Sequence, residues 1–143
     1  MKSHKSEKFD DLVLQLVTRS AGDSLVALFE EFKNNSYRLG NQVKLLEKLL
    51  PYNVKDSVME IVKRGSGEKM TTYIKNRPIL EITMAFAPQF CFLDNIASKL
   101  YKELGYAVLL AVKVDPELIG GCSLCYKAFY RDYSIRERLN QLN

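Results

Sequence analysis

The chain has 143 residues, of which 47% are hydrophobic and 27% are charged, and its formal net charge is +4. This length allows one domain or two very small ones, and the composition supports a packed core and excludes a wholly apolar or fibrous protein. The Lys and Arg residues are dispersed rather than gathered in a run, which predicts a solvated surface and no nucleic-acid partner.

The stretch from Met1 to Lys8 is polar. No window of the sequence approaches the roughly 20 apolar residues that a membrane-spanning helix needs. We therefore expect a soluble, cytoplasmic protein without a secretory signal, which meets a membrane only through its partners.

Helical periodicity dominates the first half of the chain. Apolar residues three and four positions apart predict helices over 6–19, 25–32, 41–50 and 53–64, with a short helix over 68–75. Ser6 is a predicted N-cap, Gly22 is expected to break the first pattern, and Asp23 is expected to cap the next helix. Pro51 ends the third helix or begins the fourth. The segment 34–36 is either a turn or part of a longer helix.

The second half changes to an α/β pattern. Apolar and β-branched residues predict strands over 79–86 and 106–114, joined by a helix over 89–104 with Pro88 in its first turn and Gly105 as its stop. The segments 122–126 and 129–131 predict a hairpin, and Ser134 is positioned to cap a last helix through 142. The predicted fold class is α+β, with an N-terminal helical bundle over 1–76 and a small C-terminal α/β domain over 77–143.

Catalytic chemistry has little support in this sequence. His4 is the only histidine, so activation of a nucleophile by a Ser-His or Cys-His pair is nearly excluded. The segment Gly65-Ser66-Gly67 follows a helix and lacks the Gly-Lys-Thr/Ser pair of a phosphate loop, so it is interpreted as a linker. We expect a non-enzymatic protein that uses no cofactor.

Cys122 and Cys125 form a Cys-x-x-Cys pair within a predicted strand, where positions three apart point to opposite faces. A zinc site needs two further ligands, and only Cys91 and His4 remain to supply them. Buried or half-buried free thiols are therefore favoured over metal or redox chemistry.

The most informative stretch lies between Val112 and Leu142. It contains two motifs separated by ten residues, Asp115-Pro116-Glu117-Leu118-Ile119-Gly120-Gly121 and Asp132-Tyr133-Ser134-Ile135-Arg136-Glu137-Arg138-Leu139. Their local chemistry predicts a Pro-terminated strand, a Gly-Gly turn, a hairpin and a helix.

This pair of motifs resembles the delta subunits of F-type ATP synthases and their mitochondrial counterpart, the oligomycin-sensitivity-conferring protein. The resemblance is strong over 79–142 and weak before it, where the family has a six-helix bundle, and Lys127-Ala128 replaces a Gly-Asp that is frequent at the family's hairpin turn. The family signature falls on Asp115, Pro116, Leu118, Ile119, Gly120, Gly121, Asp132, Ser134, Arg136, Arg138 and Leu139.

The resemblance implies a non-catalytic peripheral-stalk, or stator, subunit that links the catalytic alpha/beta head to the b-subunit stalk during proton-driven ATP synthesis. The implied partners are the N-termini of the alpha subunits, held by the helical half, and the C-terminus of the b subunit, met by the C-terminal domain. The implied location is the cytoplasmic face of the cell membrane in a bacterium, or the matrix side in a mitochondrion.

One alternative is the E subunit of a V- or A-type ATPase, which has a similar C-terminal ending. That subunit has one very long helix before its C-terminal domain. Such a helix is disfavoured by four interruptions in the first half, at Gly22, Gly40, Pro51 and Gly65.

A second alternative is a small nucleic-acid-binding regulatory domain. Aromatic side chains interleaved with cations form a platform for single-stranded bases. The predicted hairpin carries Tyr126, Lys127, Phe129, Tyr130 and Arg131, which would supply both.

Overall fold

The structure is a computed structural model that describes residues 4–35 and 42–142. Its described helical part consists of α1 His4–Leu16, α2 Arg19–Asn35, α3 Gln42–Leu49, α4 Tyr52–Lys63 and α5 Gly67–Lys75. The part that follows consists of β1 Ile79–Met84, α6 Phe90–Leu104, β2 Leu109–Val114, a 3₁₀ helix Pro116–Leu118, β3 Cys122–Tyr126, β4 Phe129–Asp132 and α7 Ile135–Asn140. The predicted α+β fold class is confirmed.

The four strands form one mixed sheet in the order β2-β1-β3-β4. The central strand β1 pairs in parallel with β2 and antiparallel with β3, and β3 and β4 form the predicted hairpin. Helix α6 connects β1 to β2 and buries Leu93 and Ala97 against sheet residues such as Ile82, Met84 and Leu110. The strand-helix-strand prediction is thereby confirmed.

The five described helices before β1 share a separate apolar core. Its buried members are Leu12, Val13, Leu16, Leu25, Val26, Phe29, Leu46, Leu50, Val54, Val58, Met59, Ile61, Met70 and Ile74. Ala107, which precedes β2, and Leu109, the first residue of β2, are buried in the same core. The change from helices to sheet falls between α5 and β1, and the division into domains at 76/77 stays a prediction.

The junction between α1 and α2 touches the edge of the sheet. Val17 has a φ of 62° and its side chain is fully buried. The N–H of Leu110 donates to the carbonyl oxygen of Val17 at 3.0 Å, and Thr18 forms a parallel bridge with Leu110. The first helix therefore ends where its backbone pairs with β2, which is a tertiary interaction that helical periodicity does not report.

The predicted break at Gly22 and the predicted cap at Asp23 are wrong, because both residues lie inside α2. A Cβ atom on Gly22 would lie 3.2 Å from Ile74 Cγ2 and 3.3 Å from Leu109 Cδ1. Gly22 therefore permits close packing of α2 against α5 and β2 and does not end a helix.

Three other local predictions also need correction. α1 begins at His4, so Ser6 is not its N-cap, and Gln89 is the N-cap of α6, so Pro88 precedes the helix. Strand β2 begins at Leu109 and not at 106, because the N–H of Ala107 donates to Asp10 Oδ1 at 3.3 Å.

Other local predictions hold. Gly105 ends α6 with a left-handed φ of 74°, and Pro51 stands at the N-cap of α4. Helix α2 continues to Asn35, while Ser36 and Asn41 lie outside the described residues. Within the described part of the chain, no helix has the length and apolarity needed to cross a membrane.

Candidate functional site

The first signature motif begins where β2 ends. Asp115 donates its backbone N–H to the carbonyl oxygen of Met84 at 2.8 Å, which fixes it to β1. Its side-chain Oδ1 accepts a hydrogen bond from Glu117 N at 3.0 Å and so caps the 3₁₀ helix. Pro116 occupies the first position of that helix, where a missing N–H has no cost, and Leu118 is buried. Each of these residues has a backbone or packing role.

The motif continues through a sharp change of chain direction. Ile119 and Gly121 have φ angles of 67° and 78°, and the Ile119 side chain is 64% exposed. A Cβ atom on Gly121 would lie 2.4 Å from the carbonyl oxygen of Tyr133. Positive φ and this close backbone approach both require glycine at position 121.

The second signature motif packs directly on the first. The N–H of Tyr133 donates to Cys122 O at 2.8 Å, and the N–H of Ile135 donates to Gly120 O at 3.0 Å. These two bonds hold the start of α7 against the Gly120-Gly121 turn. The structure thus brings together two motifs that are separated by the whole hairpin in the sequence.

Asp132 and Ser134 organise the start of α7. Asp132 Oδ1 accepts from Ser134 N at 2.8 Å, and the fully buried Ser134 Oγ accepts from Glu137 N at 3.2 Å. The predicted Ser134 cap is confirmed. Hydrogen bonds from the side chain and the backbone of Ser134, together with Tyr130 and the charge of Arg136, lower the pKa of the Asp132 carboxyl.

The remaining signature residues face outward. Arg136 Nη1 lies 3.9 Å from Glu117 Oε2, and since the Glu117 side chain is 86% exposed, this pair contributes little stability. Arg138 and Leu139 are exposed on α7. These three side chains are therefore available for contact with another molecule, which the buried signature residues are not.

Exposed apolar side chains lie within the joined motifs and just after α7. We call them the C-terminal apolar surface, which comprises Ile119, Tyr133, Ile135, Leu139 and Leu142. Sequence reasoning missed Tyr133 and Ile135 as interaction candidates. The sequence does carry a signal for this surface: residues 135, 139 and 142 are spaced so that they fall on one side of the predicted terminal helix.

The Cys-x-x-Cys pair does not form a site. Cys122 packs toward the α6 side of the sheet, whereas Cys125 Sγ lies 3.8 Å from the carbonyl oxygen of Lys127. Both are half-buried free thiols. Among the described residues, no group of three or more His, Cys, Asp and Glu side chains is placed to hold a metal ion.

The hairpin aromatics do not share one face. Tyr126 pairs with Phe129 across the hairpin, while Tyr130 pairs with Cys125 and therefore points to the other side of the sheet. Tyr126 Oη also lies 3.4 Å from Tyr106 Oη, and this hydrogen bond raises the pKa of Tyr106. These aromatic side chains therefore lie on two faces of the sheet and do not form the single platform that a nucleic-acid site would require.

The described fold is a mixed sheet that carries a turn-and-helix unit and leaves apolar side chains exposed beside it. The family model of the ATP synthase delta (OSCP) subunit matches residues 66–143. The chain therefore belongs to the ATP synthase delta (OSCP) subunit family, whose members are structural subunits of the peripheral stalk and not catalytic ones. Comparison with curated proteins finds no match.

Proposed function

We propose that this chain is the stator subunit that links the catalytic alpha/beta head of an F-type ATP synthase to its b-subunit stalk during proton-driven synthesis. The observation that carries the proposal is the joined signature, in which Gly120-Gly121 and the start of α7 form one unit inside the region that matches the family. Such a subunit transmits force through docking surfaces, so exposed apolar surface on rigid elements supports the role.

The C-terminal apolar surface is the proposed contact for the end of the b subunit. Leu139 and Leu142 are 49% and 82% exposed, and the cations Arg136 and Arg138 stand on the same helix. An apolar centre with charged residues at its rim is the usual organisation of a protein interface. This assigns the b-subunit contact to the proposed domain 77–143.

The helical domain, 1–76, is the proposed contact for the N-termini of the alpha subunits. A groove of about 380 Å³ lies between α2 and the α3–α4 turn. Ala21, Leu25 and Leu28 from one wall and Leu49 and Val54 from the other line it. An amphipathic helix binds a groove of this kind through apolar side chains at helical spacing.

The two contacts can be tested separately with a tagged chain added to native membranes, followed by identification of the captured subunits. Leu139→Asp is expected to lose the b subunit and retain alpha and beta, whereas Leu49→Asp is expected to lose alpha and beta and retain b. Both side chains are exposed, so the folded state tolerates the change.

Leu104→Asp, at an exposed leucine of α6, is the matched control and should capture all of these subunits. Capture of no ATP synthase subunit by the unmodified chain would overturn the proposal. The location follows from the same complex: the cytoplasmic face of the cell membrane, or the matrix side in a mitochondrion.

A further inference from the structure

The hairpin of β3 and β4 presents an exposed surface beyond the edge of the sheet that α6 covers. Tyr126 is paired with Phe129 in the hairpin register, and Leu124 is paired with Arg131. Side chains of paired residues, and of residues two positions apart in a strand, lie on the same face of a sheet. These four side chains therefore share the face on which Leu124 packs toward α6. Phe129 is 76% exposed, and Arg131 is exposed as well.

Two further side chains extend this face past the strands. Lys127 lies in the turn, and its Nζ is 5.4 Å from the centroid of the Tyr126 ring. Tyr106 Oη is 3.4 Å from Tyr126 Oη, and this hydrogen bond raises the pKa of Tyr106 while the charge of Lys127 lowers it. Lys127 is therefore close to both phenols. We call the five side chains Tyr106, Tyr126, Lys127, Phe129 and Arg131 the hairpin surface.

The positive charge of the hairpin surface has no partner in the fold. Lys127 and Arg131 are the only charged residues in the segment 118–131. Neither forms an ion pair with any residue that the structure describes, and this includes Glu103 at the end of α6. Asp132 points to the opposite face, where its carboxylate accepts a hydrogen bond from the start of α7. The surface therefore offers two exposed cations to another molecule.

The backbone at Lys127 gives a second reason to assign a role to this surface. Lys127 has a φ of 54°, which glycine adopts without strain and other residues adopt at a conformational cost. It stands at the first central position of a two-residue hairpin turn, where glycine is a preferred residue. A cation at a position that favours glycine indicates that its side chain is used.

We propose that the hairpin surface binds an acidic peptide segment of a partner protein, in which an apolar or aromatic side chain stands between carboxylates. This contact is separate from the two contacts of the proposed stator role. The exposed ring of Phe129 is the apolar anchor, and the planar guanidinium of Arg131 matches two oxygens of one carboxylate. Lys127 supplies the charge for a second carboxylate. Aromatic residues and arginine are the types that dominate the binding energy of protein interfaces.

The number of cations favours a peptide over a nucleic acid or an anionic membrane. Attachment to an anionic membrane by charge uses clusters of about four to eight cations. Affinity for a nucleic acid likewise rises with the number of phosphates that are neutralised. The hairpin surface has only Lys127 and Arg131 for this purpose. An acidic peptide with one apolar anchor needs no more than these two cations and one exposed ring.

The test begins with selection from a random dodecapeptide library on phage, with the purified full chain as the immobilised target. We expect the selected peptides to carry Asp or Glu on both sides of a Leu, Phe or Trp. The most frequent peptide is then labelled with fluorescein and titrated with the chain by fluorescence anisotropy. Selection of no peptide, or of peptides without acidic residues, overturns the proposal. ATP synthase subunits are absent from this assay, so its result does not depend on the stator role.

Variants locate the binding site. Phe129→Ser combined with Arg131→Glu changes two exposed positions and should weaken peptide binding about tenfold or more. Phe86→Ser combined with Lys63→Glu is the matched control, since Phe86 is 63% exposed and Lys63 is an exposed cation of α4. The control should bind like the unmodified chain. Unchanged affinity in the hairpin variant, or an equal loss in the control, contradicts the assigned surface.

Lys127→Gly separates binding from folding. Glycine removes the strain at a φ of 54°, so the urea midpoint should not fall, while loss of the cation should weaken peptide binding about threefold. This variant also decides if the double hairpin variant does not fold. Unchanged affinity would contradict the role of Lys127 in binding, and a lower urea midpoint with unchanged affinity would make its role structural.

The other two classes of partner are tested on the same variants. Vesicles of phosphatidylserine and phosphatidylcholine are added in one arm, and oligouridylate RNA in another. Weaker binding of both than of the peptide supports the proposal. If either binds more tightly than the peptide, and the double hairpin variant loses that binding, the surface belongs to that class of partner and the peptide proposal is overturned.

Discussion

Gly121 and Tyr133 approach so closely that a Cβ atom on Gly121 would lie 2.4 Å from the carbonyl oxygen of Tyr133 and 3.1 Å from Ser134 Cα. Both neighbours are backbone atoms, which cannot rotate away as the end of a side chain can. The contact is the point at which the two signature motifs become one structural unit. Its disruption should therefore separate α7 from the sheet.

Gly121→Ala is expected to lower the free energy of unfolding by roughly 3 kcal/mol or more, because it adds backbone overlap to an unfavourable φ. Gly65→Ala is the matched control: Gly65 also has positive φ, at 68°, but a Cβ there would meet nothing within 4 Å. That variant should lose about 1 kcal/mol, the cost of the left-handed conformation alone. Urea unfolding of both variants measures the difference, and equal losses would contradict the role of the Tyr133 contact.

Ser134→Ala should lower stability by about 1 to 2 kcal/mol, because it removes the N-cap acceptor of α7 and a buried hydroxyl next to Asp132. Amide exchange of Glu137, whose N–H donates to Ser134 Oγ, should accelerate selectively. Ser57→Ala is the control, since Ser57 donates to the side chain of Gln15 near the surface, and it should change stability by no more than about 0.5 kcal/mol. Unaltered exchange at Glu137 would show that the cap does not hold the helix.

The sequence predicts most of the elements because their signals are local. Apolar periodicity locates the helices and strands, and Gly105 and Ser134 mark helix ends that depend on one residue's own backbone or side chain. The end of α1 at Val17 depends on a hydrogen bond from Leu110, far along the chain, so no local pattern contains it. Gly22 has the opposite problem, since its type predicts a helix break but the residue lies inside α2, close to Ile74 and Leu109.

The candidate site is likewise predictable from the sequence only in part. The spacing of the two motifs identifies the family from the linear sequence, but their contact arises only when the hairpin folds back and brings Ile135 to Gly120. Tyr133 and Ile135 escape notice because their exposure depends on how the start of α7 packs against the Gly120-Gly121 turn.

Substitution of Val17 by alanine should reduce stability more than substitution by glycine, which is an unusual order. Val17→Ala is expected to lower the free energy of unfolding by about 2 kcal/mol, because it leaves a cavity in the core. Val17→Gly should cost about 1 kcal/mol less than Val17→Ala, since glycine adopts the φ of 62° without strain. At the buried helical residue Val13 the order should reverse, because glycine is the poorer helix former. Urea unfolding of the four variants checks this, and the same order at both sites would argue against a left-handed Val17.

Asp132 should make the stability of the fold depend on pH. Its folded pKa is lowered from the ordinary value of 3.8, mainly by hydrogen bonds from Ser134, so the folded state favours the ionised carboxylate. The resulting stabilisation is complete above the unfolded pKa and is lost as the pH falls through the folded pKa. Asp132→Asn, which cannot ionise, should remove this contribution and flatten the dependence.

The measurement is urea unfolding of the unmodified chain, of Asp132→Asn and of Asp94→Asn between about pH 6 and about pH 3. Asp94 is exposed on α6, so its variant should follow the unmodified chain. NMR titration of the Asp132 carboxyl carbon should give a midpoint below 3.8. Parallel curves for the unmodified chain and Asp132→Asn would mean that the Ser134 hydrogen bonds do not favour the charged carboxylate. A loss of stability with falling pH that is steeper in the unmodified chain than in Asp132→Asn would show that the start of α7 depends on the ionisation of Asp132.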